Sequence, residues 1–219
     1  MKIVKIVTYI GIALALIPLL GHAQKSKIEI LYVNQDKTLG NDLELQFKEI
    51  INAVYPKLLK KFNPKATKSF EVEIDTAYKG VAYASDNKIV VSADWMHKKP
   101  NDVDLMTHEI MHLIQAYPNN SGPSWLTEGI ADYVRAVYGL NNKAANWSLP
   151  KFDKSQNYTN SYRVTARFLL WVEKNHDKRI VKKLDKHLRS HTYSESLWKK
   201  YTGLGLNQLW EQYAKDPVI

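Results

Sequence analysis

Thr107-His108-Glu109-Ile110-Met111-His112-Leu113 is where this 219-residue chain changes character, from short alternating runs to long helical ones. Leu105, Met106, Ile110, Met111, Leu113 and Ile114 surround the polar positions with apolar ones, which predicts a helix buried over most of its surface. Residues four apart on a helix share a face. His108 and His112 therefore present imidazole nitrogens to one point with Glu109 beside them, the arrangement an H-E-x-x-H zinc site requires. The competing account is a chance match, with both histidines at the surface or hydrogen-bonded at the edge of the core.

N-terminal to this stretch the signals are those of strands and one long helix. Ile28 to Val33 is a short β-type run, and Asp42 to Phe62 carries Leu43, Phe47, Ile50, Ile51, Val54 and Leu58 at helical spacing, with Asn41 as N-cap and Pro64 as the stop. Phe70, Val72 and Ile74 alternate with Glu71, Glu73 and Asp75 as in a half-buried strand. Val81 to Ala84 and Ile89 to Ser92 are two more short strands, joined by the turn-forming Ser85-Asp86-Asn87. C-terminal to it, helices are expected from about Asp102 to Ala116, Trp125 to Tyr138, Tyr162 to Asn175, Arg179 to Arg189 and Asn207 to Tyr213, with Pro118 to Pro123 as a polar loop. Trp198, Leu206, Leu209, Trp210 and Tyr213 read as core. No repeat and no Gly/Ser-rich linker divides the chain, so the fold class is α+β in a single domain, with a small sheet in the N-terminal half and a helical C-terminal half.

A catalytic zinc usually takes three protein ligands and keeps one position open. Sixteen residues after His112 comes Glu128, in Trp125-Leu126-Thr127-Glu128-Gly129-Ile130-Ala131-Asp132-Tyr133. Glu128 is the expected third ligand, and Asp132, one turn on, is expected to accept a hydrogen bond from a ligand histidine and fix its tautomer. Asp132 as ligand with Glu128 outside is the alternative, and an ordinary exposed acidic pair is a third account. The short separation requires the segment from Ala116 to Ser124 to turn tightly, for which Gly122 and Pro123 are suited.

Composition bounds the rest. With 45% apolar residues, 24% charged residues and no cysteine, disorder and a disulfide-stapled scaffold are excluded. Lys2 and Lys5, the apolar run from Ile6 to Leu20 and Gly21-His22-Ala23 have the form of a secretory signal peptide cleaved after Ala23, leaving residues 24–219 as the mature domain in a secreted or periplasmic location. Cleavage would lower the formal charge from +9 to +7. Most lysines fall in two helical stretches, Lys57 to Lys68 and Lys174 to Lys200, as solvated faces, and no nucleic-acid-binding motif accompanies them. Neither a nucleic-acid partner nor stable membrane insertion after cleavage is expected. His97, His176, His187 and His191 are expected to be solvated.

Glu-Gly-Ile-Ala-Asp-Tyr-Val-Arg at 128–135, His-Glu-Ile-Met-His-Leu-Ile-Gln at 108–115 and Tyr-Arg-Val-Thr-Ala-Arg-Phe-Leu at 162–169 together closely resemble the plant basic secretory protein family and its bacterial relatives. Gly80-Val81-Ala82-Tyr83, Lys88 to Ala93 and Leu206 to Tyr213 extend the resemblance over most of the chain from Phe70 onward. It implies a zincin-like, gluzincin-like domain and a zinc metallopeptidase acting on peptide or protein substrates. In that reading zinc on His108, His112 and Glu128 acidifies water, Glu109 takes its proton as general base, and Tyr162 donates to the oxyanion. The resemblance also implies that a peptide adds antiparallel to a sheet edge, for which Val81 to Ala84 and Ile89 to Ser92 are the candidates. Two other outcomes stay open: an exported, metal-stabilised protein of the same fold that binds glycans or other polyanions, and a metal that is structural only.

Overall fold

The computed structural model describes residues 27–160 and 162–219; the expected signal peptide lies outside them. A parallel pair of strands opens the fold, β1 (Glu29–Asn34) and β2 (Ser69–Asp75), joined by the 21-residue helix α1 (Asn41–Lys61). A connection of this length is what two parallel neighbours need. The chain then makes a hairpin from β3 (Ala82–Ser85) to β4 (Lys88–Ser92), whose two-residue turn puts Asp86 and Asn87 at φ 50° and 60°. Two successive left-handed residues are the signature of a tight turn matched to strand twist.

β4 inserts between β2 and β3, giving a mixed sheet in the order β1-β2-β4-β3 with β4 parallel to β2. Of the two strands expected to offer a peptide-binding edge, only the first does: β3 is an edge, whereas Ile89–Ser92 pairs on both sides and is buried throughout. The alternation in β2 holds, with Phe70, Val72 and Ile74 buried and the intervening residues half-exposed.

Seven helices follow among the described residues: α2 (Ala93–Lys98), α3 (Leu105–Gln115), α4 (Ser124–Tyr138), α5 (Tyr162–Asn175), α6 (Ile180–Arg189), α7 (Ser196–Thr202) and α8 (Leu206–Lys215). The protein is thus a mixed α+β single domain, its sheet confined to the N-terminal half. Helix α1 meets the sheet through Tyr55, whose ring lies 5.2 Å from that of Phe70, and also packs on α3. Helix α3 runs against edge strand β3 on one side and α4 on the other, so it is held between the sheet and the helical half.

Among the expected boundaries that shift, two concern helix starts before the site. Asn41 lies inside α1, whose N-cap is Gly40 with no side-chain cap bond. Helix α3 starts at Leu105 rather than Asp102, because Asp102 and Asp104 turn their carboxylates to other elements: Asp102 pairs with Arg135 of α4, and Asp104 accepts from the backbone amides of Leu140 and Asn141. Helices α2 and α7 had no forecast in the sequence, and Trp210 is half-buried at the core's margin rather than inside it.

Candidate functional site

Helix α3 buries Met106, Ile110, Met111 and Ile114 completely, which fixes its rotation and turns His108 and His112 toward α4. The segment to α4 turns tightly, as the spacing demands, but not through Gly122. Ala116 ends α3 at φ 43° and Asn120 follows at φ 59°. Gly122 has no left-handed φ; it is needed for space, since a Cβ there would lie 2.3 Å from Leu188. The turn lets α4 lie alongside α3 with Glu128 and Asp132 facing it.

Three ligand-type atoms converge. His108 Nε2 is 3.1 Å from His112 Nε2 and 3.2 Å from a carboxylate oxygen of Glu128, and His112 Nε2 is 3.3 Å from that same oxygen. A tetrahedral centre with bonds of about 2.0–2.1 Å separates its ligands by roughly 3.3 Å, so these side chains could hold one metal ion without rearrangement. With neither Nε2 protonated, the three lone pairs, one of them anionic, would repel unless a cation stood among them. Asp132 is on the other edge of the His108 ring, 2.7 Å from Nδ1, outside the converging set.

Gln115 enters the site without having been singled out in the sequence. Its amide nitrogen donates to the Thr127 carbonyl at 2.9 Å, and its Oε1 accepts from His112 Nδ1 at 2.7 Å. A carbonyl only accepts, so Thr127 dictates which way the amide points, and the amide in turn leaves the lone pair of His112 on Nε2. The available signal was its position three residues after His112, on the same helix face.

Electrostatics match the geometry. Burial opposes a charged His108, but hydrogen bonds to Asp132 and Glu128 outweigh it and raise the pKa to about 10. Burial likewise opposes ionised Glu128, yet its bonds to the two histidines hold the carboxyl well below the usual range. Glu109 is 5% exposed, and burial, opposed by the two histidines, raises its pKa. Its Oε2 has no hydrogen-bond partner in the protein, an uncommon state for a buried carboxylate oxygen.

These residues line a cleft of about 790 Å³ whose wall includes β3 from Ala82 to Ala84. Tyr162, the first residue of α5, stands at its rim, 54% exposed, with its ring 6.4 Å from that of His108. The nearby charge of Glu128, then partial burial, raises its pKa. Helix α5 reaches this position because Gly129 lets it close on α4: a Cβ there would lie 2.2 Å from Thr165.

None of the four remaining described histidines joins the cluster. His97 is exposed and bonded to Asp36 at 2.8 Å, and His191 is exposed. His176 and His187 are not simply solvated, as had been expected. His187 bridges Thr192 and Tyr201 at 2.8 Å each, because α7 brings Tyr201 to it, and His176 packs on Trp171 with a buried, unpartnered Nε2.

Fold and site define a class: an α+β protein with a candidate three-residue metal centre in a cleft beside a free sheet edge. Residues 25–213 match the family described as peptidase of plants and bacteria, and the chain belongs to that family. At the level of reaction class it is therefore a peptidase, with peptides or proteins as substrates. No curated protein matches the chain.

Proposed function

We propose that this chain is an exported, zinc-dependent peptidase in which His108, His112 and Glu128 hold the metal and Glu109 is the general base. The observation that carries the reading is the convergence of three ligand atoms within 3.3 Å of one another beside a buried, unpartnered carboxylate oxygen. Two imidazoles and one carboxylate with an open fourth position are a donor set suited to catalytic zinc. Zinc held by these residues would supply Lewis acidity and make a water acidic near neutral pH.

The protein's own groups do the rest. A substrate peptide extends along β3, whose free edge offers backbone donors and acceptors, and this aligns the scissile carbonyl over the metal-binding side chains. Glu109, shielded from solvent and with a raised pKa, takes a proton from the attacking water and delivers it to the leaving amine. The Tyr162 hydroxyl donates to the oxygen that gains charge. Asp132 and Gln115 hold the histidine rings, one partner for each. Residues 1–23 serve as the signal for export. An intact Glu109 inside the cleft favours this reading over a metal-stabilised polyanion binder, which has no use for a buried base.

Mass-spectrometric mapping of the fragments of a denatured protein tests the reading. Defined fragments are expected from the untreated enzyme, none after chelation, and the same set after zinc is restored. Chelator-insensitive cleavage, or no cleavage by zinc-loaded protein, would contradict it.

A further inference from the structure

The cleft continues past the metal-binding side chains toward the N-terminal end of α3, where Trp95, Lys99, Asp102, Arg135, Trp147 and Arg163 line it. The floor of this end is internally satisfied. Arg135 donates to one oxygen of Asp102, Trp95 Nε1 donates to the other at 3.0 Å, and the Arg135 guanidinium lies 4.4 Å from the centre of the Trp147 ring. Asp102 thus has no charge to spare. Lys99 and Arg163 are both exposed, and neither forms an ion pair among the described residues. Arg163 Nη1 donates to the Ser148 carbonyl at 3.4 Å, which keeps its guanidinium beside the Trp147 segment.

We infer that Lys99 and Arg163 form a subsite for a substrate carboxylate on the C-terminal side of the scissile bond. The inference rests on the reading of the cleft as a peptidase site. Two cations without counter-ions, on a wall shared with two indole rings, concentrate positive potential at one end of a groove. The strand geometry gives the side. Val81 accepts from the Ser92 amide at 3.0 Å, and β4 passes from Ser92 directly into α2, which carries Trp95. The basic wall is therefore at the Val81 end of β3, and a peptide antiparallel to β3 has its C-terminal portion there. The carboxylate belongs to an acidic side chain or to the peptide's own C-terminus; both offer the same planar acceptor to a guanidinium.

Dye-labelled peptides of one length, titrated into zinc-loaded Glu109→Gln protein, test this by anisotropy. One peptide is neutral and amidated, a second is the same with a free C-terminal carboxylate, and a third is amidated with Glu replacing Gln in its C-terminal half. At least one carboxylate peptide is expected to bind about tenfold tighter than the neutral amide at low salt, since each exposed ion pair contributes about a few-fold. Adding Lys99→Glu and Arg163→Glu should bring the ratio to about one or below, and the arm that wins identifies the source of the carboxylate. Equal affinities for all three peptides, or a preference that survives the double charge reversal, would overturn the subsite. Hydrolysis is not needed for this readout, so an inactive wild-type enzyme would count against the peptidase reading alone.

Discussion

His108 and His112 differ in what holds the ring nitrogen turned away from the cleft: a buried carboxylate for the first, a buried amide for the second. The carboxylate was legible, because Asp132 follows Glu128 by one helical turn in a segment rich in small and apolar residues. The amide was not, because glutamine is common on helices and only its bond to Thr127 gives its orientation a meaning. Replacing Gln115 by Leu should weaken zinc binding by about 10-fold or more, the usual consequence of removing a partner of a ligand histidine. Competition against a chromophoric chelator measures this, and unchanged affinity would reduce Gln115 to a packing residue.

Elements were legible in proportion to their length. Helices α1, α3, α4, α5 and α6 each carry two or more turns of periodic apolar residues, whereas α2 and α7 have six and seven residues, too few for a period to show. β2 was visible by alternation and β3 and β4 by the turn between them, but nothing local to β3 or β4 says which is the edge; that follows from β4 pairing with β2. The closeness of α4 and α5 was equally hidden, since Gly129 reads as a poor helix residue until Thr165 is seen against it. Thr165 is fully buried and its hydroxyl is bonded to the Tyr158 carbonyl, so it has no room to yield. Gly129→Ala should therefore destabilise the protein by about 1–3 kcal/mol despite alanine's better helix propensity. Chemical denaturation reads the change; a stabilised variant would mean that α5 shifts freely, and Tyr162 with it.

At the scale of the molecule, one side chain behind the site bonds to elements of both halves. The Arg189 guanidinium on α6 donates to the carbonyls of Ile114 and Gln115 at the end of α3, to that of Phe62 after α1, and to Asp185, which is fully buried. Arg189→Met would leave that carboxylate with only the Tyr117 hydroxyl and strand the carbonyls of Gln115 and Phe62, costing about 3 kcal/mol at pH 7. The cost should depend on pH with a definite sign. Burial raises the Asp185 pKa in the folded protein and Arg189 opposes the rise. Without Arg189 the folded state keeps a proton that the unfolded chain loses near 3.8, so stability falls as pH rises from there through the raised value. The deficit of the variant should be smallest near pH 4 and grow toward pH 7; a deficit constant across that range would mean that Asp185 is paired some other way.

In the proposed mechanism Glu109 performs chemistry at a zinc ion it does not itself bind, and one variant separates those roles. Glu109→Gln, analysed for metal content and peptide hydrolysis on the same preparation, should retain one zinc per chain while losing hydrolysis by about 10²–10⁴-fold, the contribution of a positioned base. Retained zinc with undiminished hydrolysis would contradict the mechanism, and loss of zinc along with activity would place Glu109 among the ligands instead.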